Sequence, residues 1–184
     1  MDETTGPGRF IPENRGGILD VIQTGIVALL PRLRRLARAL AREPADADDL
    51  VQITIERALT RAGQWEPGSR LDSWTFRIMK NAWIDEARAR NRRRQVFDTE
   101  ATALEVGTDG AAAMEARLEV RAVEEAMTEL PHDQRIAVAL VLVDGLSYRE
   151  AADVLEIPEG TLTSRLVRGR NALIARLGMG GTAG

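Results

Sequence analysis

Apolar residues return at helical spacing in every long segment of this chain, and the one run that could read as a strand, 137–143, finds no second strand to pair with. A buried helix is the expectation there, and an all-α fold for the whole. The first stripe is Ile26, Leu29, Leu30, Leu33, Leu36, Ala37 and Leu40, with Arg34, Arg35, Arg38 and Arg42 mostly off it. Pro31 falls inside this stripe and marks a first turn or a kink. A second helix is expected from an Asp46 N-cap after Pro44. It turns Ala47, Leu50, Val51, Thr54, Ile55, Ala58 and Leu59 inward, and Asp48, Asp49, Gln52, Glu56 and Arg57 outward. The turn residues EPGS at 66–69 break the chain before a third helix. Leu71, Trp74, Thr75, Ile78, Ala82 and Trp83 face its core side, and it ends in the basic run Arg88, Arg90, Arg92, Arg93 and Arg94. At that spacing Trp74 and Trp83 read as packing residues, whereas Trp65, beside the break, reads as more open. Three stripes of this kind make one small bundle.

Residues 95–113 are acidic, Gly-containing and weakly periodic, the composition of a linker. A second helical unit starts at Met114, with Leu118, Val123, Met127 and Leu130 inward, and Pro131 opens the next helix at a tolerated position. Ser147 followed by Glu150 makes a capping box, so another helix starts there. Ala151 and Ala152 are small where helices would cross closely, and 156–160 is a short break containing Pro158. In the last helix Leu162, Leu166 and Leu173 turn inward, while Thr163, Ser164, Arg165 and Arg168 point out. A second helix with an Arg/Ser/Thr outer face near its N-terminus is what major-groove reading requires. An ordinary helical hairpin with a solvated face is the plainer alternative.

Composition removes several function classes. With one His and no Cys, the chain cannot assemble a Cys/His zinc site, a disulfide scaffold or a thiol nucleophile. No uncharged apolar run is long enough to span a membrane, and the acidic start MDETTGPGRF lacks the apolar core of a signal peptide, so a cytoplasmic protein is expected. No nucleophile–base pairing, Gly-rich phosphate loop or metal cluster is visible, so neither an enzyme nor a cofactor is expected. A formal charge of −3 argues against nucleic acid at first sight, but it is a cancellation. Residues 1–31 carry net −2, residues 32–97 net +6, residues 98–130 net −7, and 131–184 balance, with four Arg and no acid over 162–177. Separate interaction surfaces would produce such a division.

Taken in order, these blocks resemble a bacterial RNA polymerase sigma factor of the sigma-70 family, extracytoplasmic-function type, over roughly residues 18–178. ADDLVQITIERAL (47–59) is similar to the family helix that grips the clamp of the polymerase's largest subunit. The resemblance gives that role to Asp49 and Gln52, with Asp48 and Glu56 beside them. WEPGSRLDSWTFRIMKNAWIDEARARNRR (65–93) resembles the promoter-melting and −10-reading segment. It implies that Trp65, Glu66, Gly68 and Ser69 shape a pocket for a flipped base, that Asn81 reads it, and that Arg77, Lys80 and Arg88 meet phosphate. The block 129–170 is similar to the domain that reads the −35 element, implying contacts from Thr161, Thr163, Ser164, Arg165, Arg168 and Arg170. Members commonly carry Lys or Arg where this chain has Thr163, a departure from the pattern. His132 matches no functional family position and reads as a surface residue at a helix start.

The expectation is therefore two small helical bundles joined by a flexible acidic linker. The divisions are a tail over 1–17, a region 2-like domain over 18–95, a linker over 96–113, a region 4-like helix-turn-helix domain over 114–178 and a second tail over 179–184. Implied partners are core RNA polymerase, through the clamp of its largest subunit and the flap of the second largest, promoter DNA, and an anti-sigma factor; no membrane insertion is expected. Asp98, Glu100, Glu105 and Asp109 of the linker form a charge string suited to a basic protein channel. A sigma-like decoy would not need the basic residues at 88–94 and 165–170, and a stand-alone regulator would leave 47–94 unexplained.

Overall fold

The computed structural model describes residues 15–94 and 111–178, all helix and turn, with no strand among them. In chain order the helices are α1 (Arg15–Leu40), α2 (Pro44–Thr60), α3 (Leu71–Arg94), α4 (Ala111–Thr128), α5 (His132–Val138), α6 (Tyr148–Leu155) and α7 (Glu159–Arg176). A short 3-10 turn, Ala62–Gln64, separates α2 from the 65–70 loop, and Ala139–Val143 continues α5 as a π-helical stretch. The linker expected over 96–113, its acidic string included, lies outside the described residues as far as 110, and 111–113 form the start of α4.

Four local expectations change. α1 begins at Arg15, inside the stretch read as a tail, and runs through Pro31 to Leu40 without ending there. α2 starts at Pro44 with Glu43 as N-cap, because proline fits the first helical position and its missing N–H is not needed there. Asp46 thus falls in the first turn, favoured by the helix dipole, and its carboxylate pairs with Arg90. On α4 only Met127 and Leu130 of the expected inward set are buried; Leu118 and Val123 are 57% and 43% exposed. In the run 137–143, helical as expected, Leu142 and Val143 are turned out by the wider π-helical winding.

The α6 start follows the sequence closely. Ser147 Oγ accepts from the Glu150 N–H while the Glu150 carboxylate accepts from the Ser147 N–H, a complete capping box. Glu156 ends α6 in the left-handed conformation (φ 58°), and Pro158 caps the start of α7. Leu162, Leu166 and Leu173 are buried. Gly169 lets α7 lie directly against α5: a Cβ there would sit 2.7 Å from Val138 Cγ2.

The two bundles are not separate. One apolar cluster joins Leu33, Leu36, Leu40, Leu50, Phe76, Met79 and Trp83 of α1–α3 to Met127, Leu130, Ile136, Leu140, Leu155 and Leu162 of α4–α7. A second, smaller cluster lies wholly in the first bundle, with Ile22, Ile26, Ala58, Ala62, Trp65 and Ile78. Two arginines knit the junction. Arg32 of α1 bonds Asp72 at 3.0 Å and Asp144 at 2.6 Å, and the Asp144 side chain is fully buried. Arg135 of α5 donates to the carbonyls of Leu40 (3.0 Å), Leu130 (3.2 Å) and Thr128, and its guanidinium carbon stands 5.8 Å from the Trp83 ring centroid. Trp83 Nε1 donates to the same Leu40 carbonyl at 3.1 Å, and His132 stacks on its ring at 4.9 Å.

Candidate nucleic-acid interface

On α2, Asp49, Gln52 and Glu56 recur at three- and four-residue steps and share one exposed face. They line a groove of about 210 Å³ whose floor is Leu50, Ile53 and Trp83 and whose far wall is Glu86 and Arg90 of α3. Asp48 is exposed but lies outside this groove. The apolar floor with an acidic rim suits a helix that carries basic residues beside an apolar strip.

The 65–70 loop turns on Gly68 (φ 91°), where a side chain would be strained. Ser69 closes it by donating its N–H (3.0 Å) and its hydroxyl (2.7 Å) to the Glu66 carbonyl. Glu66, Gly68 and Ser69 are all exposed. Trp65 is not the open residue its place beside the break suggested: it is 8% exposed in the second apolar cluster and anchors the loop from below. Its indole N–H has no hydrogen-bond partner. Trp74 is half-buried in the same cluster, and Trp83 is buried, as their spacing indicates.

Along α3, Asn81 and Arg88 are exposed and Arg77 is half-buried. Lys80 departs from the expected open phosphate-binding group. It is 7% exposed, and its Nζ bonds the carboxylate of Glu156, just past the end of α6, at 2.6 Å. That bond holds the Glu156 carboxyl below the usual range, against the smaller opposing effect of burial. Arg77 donates to the Asp153 carbonyl at 3.3 Å and approaches Glu156 at 3.9 Å, while its Nε has no hydrogen-bond partner. Arg70, which the sequence reading passed over, bridges Asp72 (2.7 Å) and Glu150. Its place between the EPGS turn and a helix N-terminus was the available signal. Asn81 and Arg88 border a cleft of about 400 Å³ closed on its other side by His132, Asp133 and Arg165.

On α7, Thr163, Ser164, Arg168 and Arg170 are exposed and Thr161 is half-buried. Thr163 and Ser164 donate their hydroxyls back to the Glu159 and Thr161 carbonyls, both at 2.9 Å. Arg165 is half-buried and pairs with Asp133 of α5 at 3.3 Å. The His132 imidazole is held below its ordinary pKa by loss of hydration first, then by the Arg135 and Arg90 cations. Among the described residues no group of acids and His is disposed to hold a metal, and no helix is long and apolar enough to cross a membrane.

Comparison with known proteins gives two consecutive matches. The pattern of sigma-70 region 2 matches residues 26–93, and that of sigma-70 region 4 matches 120–173. The ECF RNA polymerase sigma factor EcfG of Rhodopseudomonas palustris is 36% identical over 160 residues, 87% of this chain and 87% of the relative. The ECF RNA polymerase sigma factor SigM of Mycobacterium tuberculosis is 36% identical over 149 residues, 80% of this chain and 72% of its own. Among solved structures, the sigma factor RpoE in complex with the anti-sigma factor NepR from Bartonella quintana superposes with a TM-score of 0.74 at 31% identity, over 88% of this chain and 99% of that one. CnrH in complex with the cytosolic domain of CnrY shares the fold, with a TM-score of 0.67 at 23% identity.

Proposed function

Because this chain belongs to the ECF group of sigma-70 family RNA polymerase sigma factors, we propose that it docks on core RNA polymerase and carries it to a promoter. Catalysis stays with the polymerase; this chain supplies binding surfaces and works where the polymerase is, in the cytoplasm. Asp49, Gln52 and Glu56 take the clamp helices of the largest subunit, with Asp48 at the margin. The observation that carries this assignment is the acid-rimmed, apolar-floored groove in which those three side chains meet.

Melted −10 DNA is read along α3. Glu66, Gly68 and Ser69 form the exposed rim of a base pocket whose wall Trp65 supports from inside. Asn81 offers a donor and an acceptor to a base edge, and Arg77, Lys80 and Arg88 meet phosphate. In the −35 major groove, α7 brings Arg168 and Arg170 from its exposed surface and Arg165 from beside Asp133, with Thr161, Thr163 and Ser164 close to the backbone. The flap of the second largest subunit meets the second bundle. An anti-sigma factor holds the chain in reserve, a reading supported by the likeness to the RpoE–NepR complex.

Transcription in vitro with sigma-free core enzyme on a promoter library tests the reading. Promoter-specific starts are expected from this chain, and Asp49→Ala with Gln52→Ala should lower core binding at least tenfold while leaving the helical content unchanged. Unaltered core binding by that double variant would remove the α2 groove from the interface.

A further inference from the structure

Two of the three α3 groups given to DNA phosphate, Arg77 and Lys80, are not vacant in the free chain, and neither is Arg70 just before the helix. Arg70 meets the Glu150 carboxylate, Arg77 reaches the Asp153 carbonyl and Glu156, and Lys80 bonds Glu156 at 2.6 Å. Glu150 and Asp153 lie one turn apart on α6, and Glu156 follows as the residue that ends it, so a side chain, a backbone carbonyl and a second side chain meet the three cations in turn. Carboxylates and phosphates offer guanidinium and ammonium groups the same paired, negatively charged oxygens. The sequence separation is long, 76 residues between Lys80 and Glu156, so the contact forms only when the second bundle folds back over the first. Lys80 has given up nearly all of its hydration to make it. The rim residues Glu66 and Ser69 stand across a cleft from α6, with Arg70 and Arg77 on one wall and Glu150, Asp153 and Glu156 on the other.

We propose that the acidic side of α6 and its C-terminal cap, Glu150 with Glu156, is a built-in phosphate substitute that covers Arg77 and Lys80 of α3, and Arg70 before it, until the second bundle swings away. The proposal rests on the reading that Arg77 and Lys80 meet −10 DNA. Its physical content is competition. Phosphate and the α6 carboxylates require the same cations, so α6 must leave before melted DNA can seat. Salt weakens both contacts, but the intramolecular one is the better shielded because Lys80 is buried within it. A free chain is thereby kept from loading melted DNA, while a polymerase that separates the bundles frees Arg77 and Lys80.

The absence of native cysteine allows a site-specific test in the full chain. Gln23→Cys on α1 and Ala175→Cys on α7, both at exposed positions, carry a donor and an acceptor dye, and energy transfer reports the separation of the bundles. In unlabelled protein, affinity for a short fluorescent single-stranded DNA is measured by anisotropy. Glu156→Lys should lower energy transfer and tighten DNA binding about threefold or more, the range commanded by one ion pair that is partly shielded from water. Lys80→Glu combined with Glu156→Lys should restore energy transfer, since the pair is re-formed with its charges exchanged. Glu159→Lys, which adds the same charge beyond the end of α6, should leave energy transfer and affinity near their starting values.

Unchanged energy transfer in Glu156→Lys would overturn the latch, whatever α3 binds. Failure of the exchanged pair to close again would also overturn it. Opening without any gain in DNA affinity would instead sink the assignment of α3 to DNA, and the masking with it. Equal tightening by Glu159→Lys would reduce the effect to bulk charge and likewise overturn the proposal.

Discussion

Arg135→Ala should be among the most damaging single substitutions in the chain. The guanidinium is 8% exposed and bonds three carbonyls at the ends of two helices, Leu40 of α1 and Thr128 with Leu130 after α4. Burial, with the Arg42 and Arg90 cations adding, pushes its pKa down to about 10, so the charge is costly to hold there and is retained by its hydrogen bonds. Each hydrogen bond to a charged group contributes about 1.5–3 kcal/mol net, and a buried acceptor left without a donor costs a further share. Leu40 keeps Trp83 Nε1 as a second donor, and Thr128 is near enough to solvent to recruit water, which lowers the sum. Allowing also for the desolvation that no longer has to be met, the loss should be about 3–5 kcal/mol. For a chain of this size that corresponds to a fall in Tm of roughly 6–20 °C. Urea unfolding followed by circular dichroism is the assay. Trp83→Phe removes the other donor to Leu40, so the double variant should depart from additivity by more than about 0.5 kcal/mol. A loss below about 1 kcal/mol for Arg135→Ala, or strict additivity with Trp83→Phe, would refute the idea that these two side chains jointly pin the end of α1.

Asp72 gives an acid-side signature. Its carboxyl is held at about 2 by the Arg70 hydrogen bond first, with Arg32 and the Ser73 N–H adding and burial opposing. The unfolded chain therefore binds the proton at higher pH than the folded one; the stabilisation is complete above about pH 4 and is lost as pH falls toward 2, and Asp72→Asn should flatten unfolding curves across that window. Arg32→Ala strands the buried Asp144 carboxylate and should cost several kcal/mol in thermal or urea unfolding, about 3–5 if no water reaches it. On promoter DNA, Arg165→Ala should lose roughly 1–3 kcal/mol at one −35 base pair if it meets a base edge. Arg168→Ala, if that side chain meets phosphate, should weaken all sequences alike and shallow the salt dependence; gel-shift titrations on single-base variants separate the two.

The sequence made the helices legible because their signals are local. Ser147 and Glu150 are three residues apart, and the Leu162, Leu166, Leu173 stripe lies within one helix, so both could be read without knowing what they pack on. The N-cap of α2 lies three residues before Asp46, at Glu43: Asp46 is a good cap in isolation, whereas Pro44 fits the first helical position better. Lys80 and Trp65 were harder. A lysine that resemblance alone marks as a phosphate contact gives no hint that a glutamate 76 residues later will cover it, and a tryptophan beside a turn can face in or out. The outward Leu118 and Val123 show the same limit: periodicity finds a stripe but not whether anything covers it. What the sequence could not convey was the joining of the two bundles through Arg32, Arg135 and Trp83, all of it long-range.

On the proposed reading of α7, Gly169 has a consequence for how promoter preference can change over time. The missing methyl group lets the back of α7 lie against Val138 and Gln134, which fixes the rotational phase of the helix about its own axis. Arg168 and Arg170 therefore face solvent, while Arg165, one turn before Gly169, is held against Asp133, all at angles dictated from behind. New preferences can arise by exchanging those side chains one at a time. They cannot arise by slipping or turning the helix, because any rotation would drive backbone into a wall that only a glycine tolerates.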